Sequence, residues 1–128
     1  MDSSPPEQDA ELAISLPMRQ WHIIDGTVDN EINSRYERPD WEDIRTVGMT
    51  IREAGWHQVA GMTPGTPRSG AWPPDDEVVT VKLPRSCWRW VVAVLEHWAQ
   101  VSDEIDRPEA AIKTRTVGKL IQSHLTVR

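Results

Sequence analysis

The 128-residue chain has no phenylalanine, one tyrosine and one cysteine. Bulky aromatic packing therefore falls to its seven tryptophans. The lone cysteine, Cys87, excludes an internal disulfide framework and fits a reducing compartment, where it is expected to act as a small buried apolar group. No charged-then-apolar segment opens the sequence. The longest apolar run, Trp90 to Leu95, is too short to span a bilayer. A soluble cytoplasmic protein with no membrane partner is expected. Basic charge is also scarce. The net charge is −6, and the first 55 residues carry twelve acids against five bases. Residues 77–128 are mildly basic, with eight bases against six acids. A nucleic-acid binder usually carries a stronger basic footprint, so nucleic acid is a possible but unfavoured partner. The length suits one domain.

What the chain does have is a repeat. "LAISLPMRQWHI" at 12–23 returns, sixty-seven residues later, as "VTVKLPRSCWRW" at 79–90. Asp9 aligns with Asp76, Ile14 with Val81, Leu16-Pro17 with Leu83-Pro84, Trp21 with Trp88 and Val28 with Leu95. Small slips then bring Arg38-Pro39 onto Arg107-Pro108, and "RTVG" at 45–48 onto "RTVG" at 115–118. An ordered series of this length points to an internal duplication. The expected units are a first β-α-α repeat at 9–60, a Pro/Gly-rich linker at 61–75 and a second repeat at 76–128, with an acidic tail at 1–8.

Each copy reads strand, helix, helix. "ELAISL" and "VVTVKL" alternate or are β-branched. Pro17 and Pro84 end the strands and suit a first helical turn. Trp21, Ile24, Val28 and Ile32 make one helical stripe; Trp88, Val91, Val92, Leu95 and Ala99 make the other. Pro39 and Pro108 are expected to open second helices. Those helices carry Trp41, Ile44, Val47 and Ile51, then Ile112, Val117, Leu120, Ile121 and Leu125. Gly48 and Gly118 sit mid-helix, and close approach of the two second helices is the expected reason. One such unit cannot close a core alone. The expected fold is α+β and mainly helical: two strands paired as an antiparallel ribbon, four helices around it, pseudo-twofold symmetric, one compact domain.

The opening "VTVKLPRS" and the order strand, proline, helix, turn, helix resemble the ribbon-helix-helix family of DNA-binding proteins, here as two tandem copies. The resemblance implies that the ribbon enters the major groove and that outward strand residues touch bases. By alternation these would be Thr80 and Lys82, with Ala13 and Ser15 in the other copy; Arg85 follows on the helix. The turns "RYERPD" and "DEIDRP" are acidic, and acidic surface beside a groove repels phosphate.

Catalytic motifs are missing. There is no P-loop, Gly-rich dinucleotide fingerprint, nucleophile elbow or paired Cys and His at metal spacing. No enzyme activity, cofactor or metal is expected; a small enzyme with a site between the repeats is the third reading. His22, Asp25 and Asp29 share a helical face, but their counterparts are Arg89, Val92 and Glu96, so a solvated face is expected. Arg107, Lys113, Arg115 and Lys119 are expected to be solvated rather than an anion-binding strip. Cys87 and His97 point differently on one helix. His57 and His124 have no obvious partner.

The copies differ on the helix after the second strand. It adds a second apolar stripe, Trp90, Val94, Trp98 and Val101, where the first copy has Ile23, Thr27, Glu31 and Ser34. Something must cover it: either the linker's "AWPP" or another protein chain. The favoured function is a non-catalytic interaction module that binds a protein partner or itself through this stripe. The alternative is a single-chain DNA-binding regulator using Ser15, Thr80, Lys82 and Arg85.

Overall fold

The computed structural model describes residues 9–61 and 70–126. The expected tail at 1–8 and the linker residues 62–69 lie outside the described residues. The elements are β1 (Glu11–Pro17), α1 (Met18–Ser34), α2 (Trp41–Gln58), β2 (Val78–Pro84), α3 (Arg85–Glu104) and α4 (Pro108–Leu125). The fold is α+β and mainly helical, with one two-stranded antiparallel sheet.

The register places Ile14 opposite Val81, flanked by Leu12 with Leu83 and Leu16 with Val79. Alternation then sorts the ribbon into two faces. Ile14, Leu16, Val79, Val81 and Leu83 are buried, while Ala13, Ser15, Thr80 and Lys82 are exposed. Trp21, Ile24 and Val28 of α1, and Trp88, Val91 and Leu95 of α3, pack against the buried face. Ile51 of α2 and Val117 and Ile121 of α4 close the same core. Each second helix packs on its own first helix, and α1 crosses α3.

The proline at the end of each strand holds extended backbone, Pro17 at ψ 146° and Pro84 at ψ 149°. Each sits at the cap position rather than inside the first turn. Neither first helix has a side-chain cap of its own. Their free N–H groups are satisfied from the other half instead. Met18 N–H donates to Glu77 O at 2.8 Å and Arg19 N–H to Asp75 O at 3.0 Å. Arg85 N–H donates to Ala10 O at 3.1 Å, and Ser86 N–H to the Asp9 carboxylate at 2.8 Å. The capping is crossed: the residues leading into each strand cap the helix that follows the other strand.

Three sequence expectations need correction. α2 begins at Trp41, so Pro39 lies in the turn. There Arg38 and Asp40 form a two-pronged ion pair at 3.0 and 3.2 Å, and Trp41 N–H returns to Arg38 O. In α4, Ile112 is 64% exposed and Ala111 takes the buried place, a shift of one residue in helical phase. The mid-helix glycines do not bring the second helices together. A Cβ at Gly48 would meet Ile32 of α1 at 2.7 Å, whereas one at Gly118 would sit 3.9 Å from Leu95 of α3, an ordinary contact.

Gly55 matters more. A Cβ there would overlap the fully buried indole of Trp21, with Cζ2 at 2.6 Å. Gly26, on α1, has nothing within 4 Å of its Cβ position. Gly55→Ala should therefore destabilise the chain by about 1–3 kcal/mol through overpacking. Gly26→Ala should leave stability unchanged or raise it by up to about 1 kcal/mol. Urea melts of the two variants check this; equal effects would contradict the packing.

Candidate functional site

The second apolar stripe is divided by the fold. Val94 is only 6% exposed, while Trp90, Trp98 and Val101 are partly buried. At Trp98 part of the cover comes from α1. Its indole N–H donates to Glu31 Oε1 of α1 at 2.9 Å. The described part of the linker goes elsewhere: Trp72 meets His22 edge-on at 5.5 Å, and Ala71 N–H donates to Ala60 O. The expected choice between linker and partner thus omitted the helix of the first half.

Glu31 is the one charged residue buried among the described residues, at 7% exposure. Burying a carboxylate is tolerable only when it is paired and hydrogen-bonded. Arg35 Nε donates to its Oε2 at 3.0 Å, one helical turn on. Arg35 Nη2 donates to His97 Nε2 at 3.1 Å. A guanidinium cannot accept, so that ring nitrogen carries the lone pair. Tryptophan, glutamate, arginine and histidine thereby join α1 to α3. Sequence reading missed Glu31 as a site residue. Its position in the covered stripe, opposite a tryptophan in the other copy, was the available signal.

The outward ribbon face is open. It presents Glu11, Ala13, Ser15, Val78, Thr80 and Lys82. Ser15 Oγ and Thr80 Oγ1 are hydrogen-bonded at 2.7 Å across the ribbon. The Gln58 carboxamide bonds both the N–H and the C=O of Lys82, at 2.7 and 2.9 Å, and so occupies the outer edge of β2 there. Arg85 is partly buried, and its Nη1 reaches Leu125 O at 3.5 Å. The face itself holds one acid and one base, and acids crowd its ends: Asp9 at one, Asp75, Asp76 and Glu77 at the other.

Of the face expected to be solvated, His22 is exposed, while Asp25 and Asp29 are partly covered by an arginine. Arg52 of α2 donates to Asp25 at 2.9 Å and to Asp29 at 2.8 Å. The two carboxylates keep the Arg52 guanidinium fully charged, although burial opposes it. Arg115 of α4 makes the matching clamp, at 3.2 Å to Glu96 and 2.8 Å to Asp103 of α3. It is therefore not free to serve an anion strip with Arg107, Lys113 and Lys119. The Cys87 thiol is partly buried and its pKa is raised, first by desolvation and then by Asp9. That favours the neutral thiol over a nucleophilic thiolate. A shallow open groove of about 400 Å³ runs between α1 and α4, with Ile23 and Ile112 beside Arg19 and Lys113. Among the described residues no cluster of three or more His, Cys, Asp or Glu could hold a metal ion. No helix among them is long and apolar enough to cross a membrane.

Set against known proteins, the chain matches no family model, no curated protein and no solved structure.

The Asp9 cap on α3 has a pH signature. Hydrogen bonds from Ser86, with the Arg89 charge adding to them, hold the Asp9 carboxyl below its ordinary value of 3.8. A carboxyl depressed on folding stabilises the fold above its unfolded pKa, and this contribution is lost as pH falls through the folded value. Asp9→Ala should melt below the parent at about pH 7, and the gap should narrow at about pH 2. Thermal melts at both values check this; a gap unchanged by acid would rule out the charged cap.

Proposed function

We propose that the chain is a duplicated β-α-α unit folded onto itself as a pseudo-twofold pair, and that it works as a non-catalytic protein-interaction module. Three relations support the twofold. The sixty-seven-residue offset of the repeat is the separation of Ile14 and Val81, which pair at the ribbon's centre. It is also the separation of Glu31 and Trp98, which meet where α1 crosses α3. The bonds from Met18 to Glu77 and from Arg85 to Ala10 are exchanged by the same offset. On a twofold axis each residue faces its own equivalent, which these relations fit.

The observation that carries the interaction reading is the incomplete cover of the second stripe. Val94 and Trp98 are used inside the chain. Trp90 packs against the core along part of its surface, and Trp90, Trp98 and Val101 all remain partly open. The partner is another protein or a second copy, held by Trp90 as an aromatic anchor. A cytoplasmic setting belongs to the same proposal and fits the single neutral cysteine.

The openness of the outward ribbon face favours a second reading, a DNA-binding regulator of the ribbon-helix-helix kind that reads bases with Ser15, Thr80 and Lys82. Its charge argues against that use. Phosphate contact draws on several Lys or Arg, and this face has one base beside one acid.

Trp90→Ala separates the readings. On the interaction reading the variant still folds, with a melting temperature lowered by the core packing that Trp90 gives up, but loses its concentration-dependent mass in light scattering. Duplex DNA added at low salt should not bind either protein. Steeply salt-dependent DNA binding, unchanged by Trp90→Ala and abolished by Lys82→Glu, would replace this reading with the second.

A further inference from the structure

Glu31 and Trp98 meet at equivalent places in the two halves, yet they are chemically unlike. Oε1 of Glu31 accepts the Trp98 indole N–H at 2.9 Å, and Oε2 accepts from Arg35 at 3.0 Å. We propose that this pair is a recognition element that lets a first half associate only with a second half. The inference rests on the pseudo-twofold reading above.

The chemistry is that of like against unlike. Two first halves joined in this geometry would bring two Glu31 carboxylates together in a buried place; each would keep its own Arg35, but the oxygen that now accepts from Trp98 would face a like charge and no donor. Two second halves would bring together two Trp98 indoles. Their N–H groups are donors only, so neither could satisfy the other, and the crossing would have to hold twice the aromatic volume. The mixed pair alone matches donor with acceptor and large with small. Specificity here comes as much from the poor homotypic pairs as from the good mixed one. The ribbon cannot make this distinction. Its central residues, Ile14 and Val81, are both β-branched aliphatics, and either could face a copy of itself. The surface around Glu31 and Trp98 therefore fits one kind of partner: the opposite half, from the same chain or from a second copy.

Full-length variants test this. Glu31→Trp alone creates the two-indole crossing, and Trp98→Glu alone the two-carboxylate crossing. Each should lower the melting temperature by about 10 °C or more, given the cost of an unpaired buried polar group. The reciprocal double variant, Glu31→Trp with Trp98→Glu, restores one acid and one indole across the crossing. Arg35 already reaches the neighbouring His97 at 3.1 Å, so its guanidinium lies within reach of a carboxylate at either place. The double variant should recover at least half of the loss of the worse single one. If a single variant fails to fold, a folded double variant is the same result. A double variant as unstable as the sum of the singles would overturn the proposal. A second exchange, Ile14→Val with Val81→Ile, isolates the reading beneath it. If this mild exchange at the ribbon's centre is tolerated while the Glu31 and Trp98 exchange is not, the recognition element falls and the twofold stands. If the ribbon exchange itself unfolds the chain, the twofold falls too.

Discussion

The pairing of β1 with β2 about Ile14 and Val81 is the contact on which the other contacts depend. A strand followed by two helices leaves one strand edge unpaired and one helical stripe uncovered, and both deficits are made good here by the other half. A slip of one residue would turn Ile14, Leu16, Val81 and Leu83 outward and Ser15, Thr80 and Lys82 inward. It would also break the crossed caps, since Asp9 reaches Ser86 and Glu77 reaches Met18 only in this register. The same register lets the Trp88 indole N–H donate to Leu12 O at 2.8 Å, which ties the core of one half to the backbone of the other.

Around that ribbon the two halves use one device for docking their second helices. An arginine on the second helix clamps acids on the first: Arg52 on Asp25 and Asp29, Arg115 on Glu96 and Asp103. Asp29 and Glu96 stand sixty-seven residues apart, the offset at which the two segments align, but the arginines do not correspond, since Arg115 aligns with Arg45. The tryptophans show where equivalence stops. Trp88 has its acceptor at Leu12, whereas the buried Nε1 of Trp21 lies against Gly55 and meets no acceptor among the described residues. Gly55 is small because Trp21 fills the space its side chain would need.

Much of the fold was legible because it rests on period. Alternation marked both strands and their inner faces, and the 3.6-residue stripes marked Trp21, Ile24 and Val28 with their counterparts Trp88, Val91 and Leu95. The second helices were read less well. Their apolar residues are sparse, so the pattern points to Ile112 rather than Ala111 as the core residue, and to a helix at Pro39, where the Arg38–Asp40 pair holds a turn. The polar links between elements were out of reach. Nothing in the spacing of Asp25 and Asp29 indicates that Arg52, more than twenty residues on, folds back over them. In the sequence Glu31 stands with Thr27 and Ser34 as one of three polar residues where the other helix is apolar. Its partnership with Trp98 depends on a helix crossing, and a crossing is set by tertiary packing rather than by either helix alone.

The central claim is that neither half holds its structure without the other. Native-state hydrogen exchange tests it most directly, because it reads the opening free energy of each amide separately. The account predicts that the slowest amides of β1 and α1 and those of β2 and α3 share one opening free energy, equal to that of global unfolding and shifted together by mild denaturant. If α3 and α4 stayed protected while β1, α1 and α2 opened at markedly lower free energy, one half would be stable alone and the claim would be contradicted.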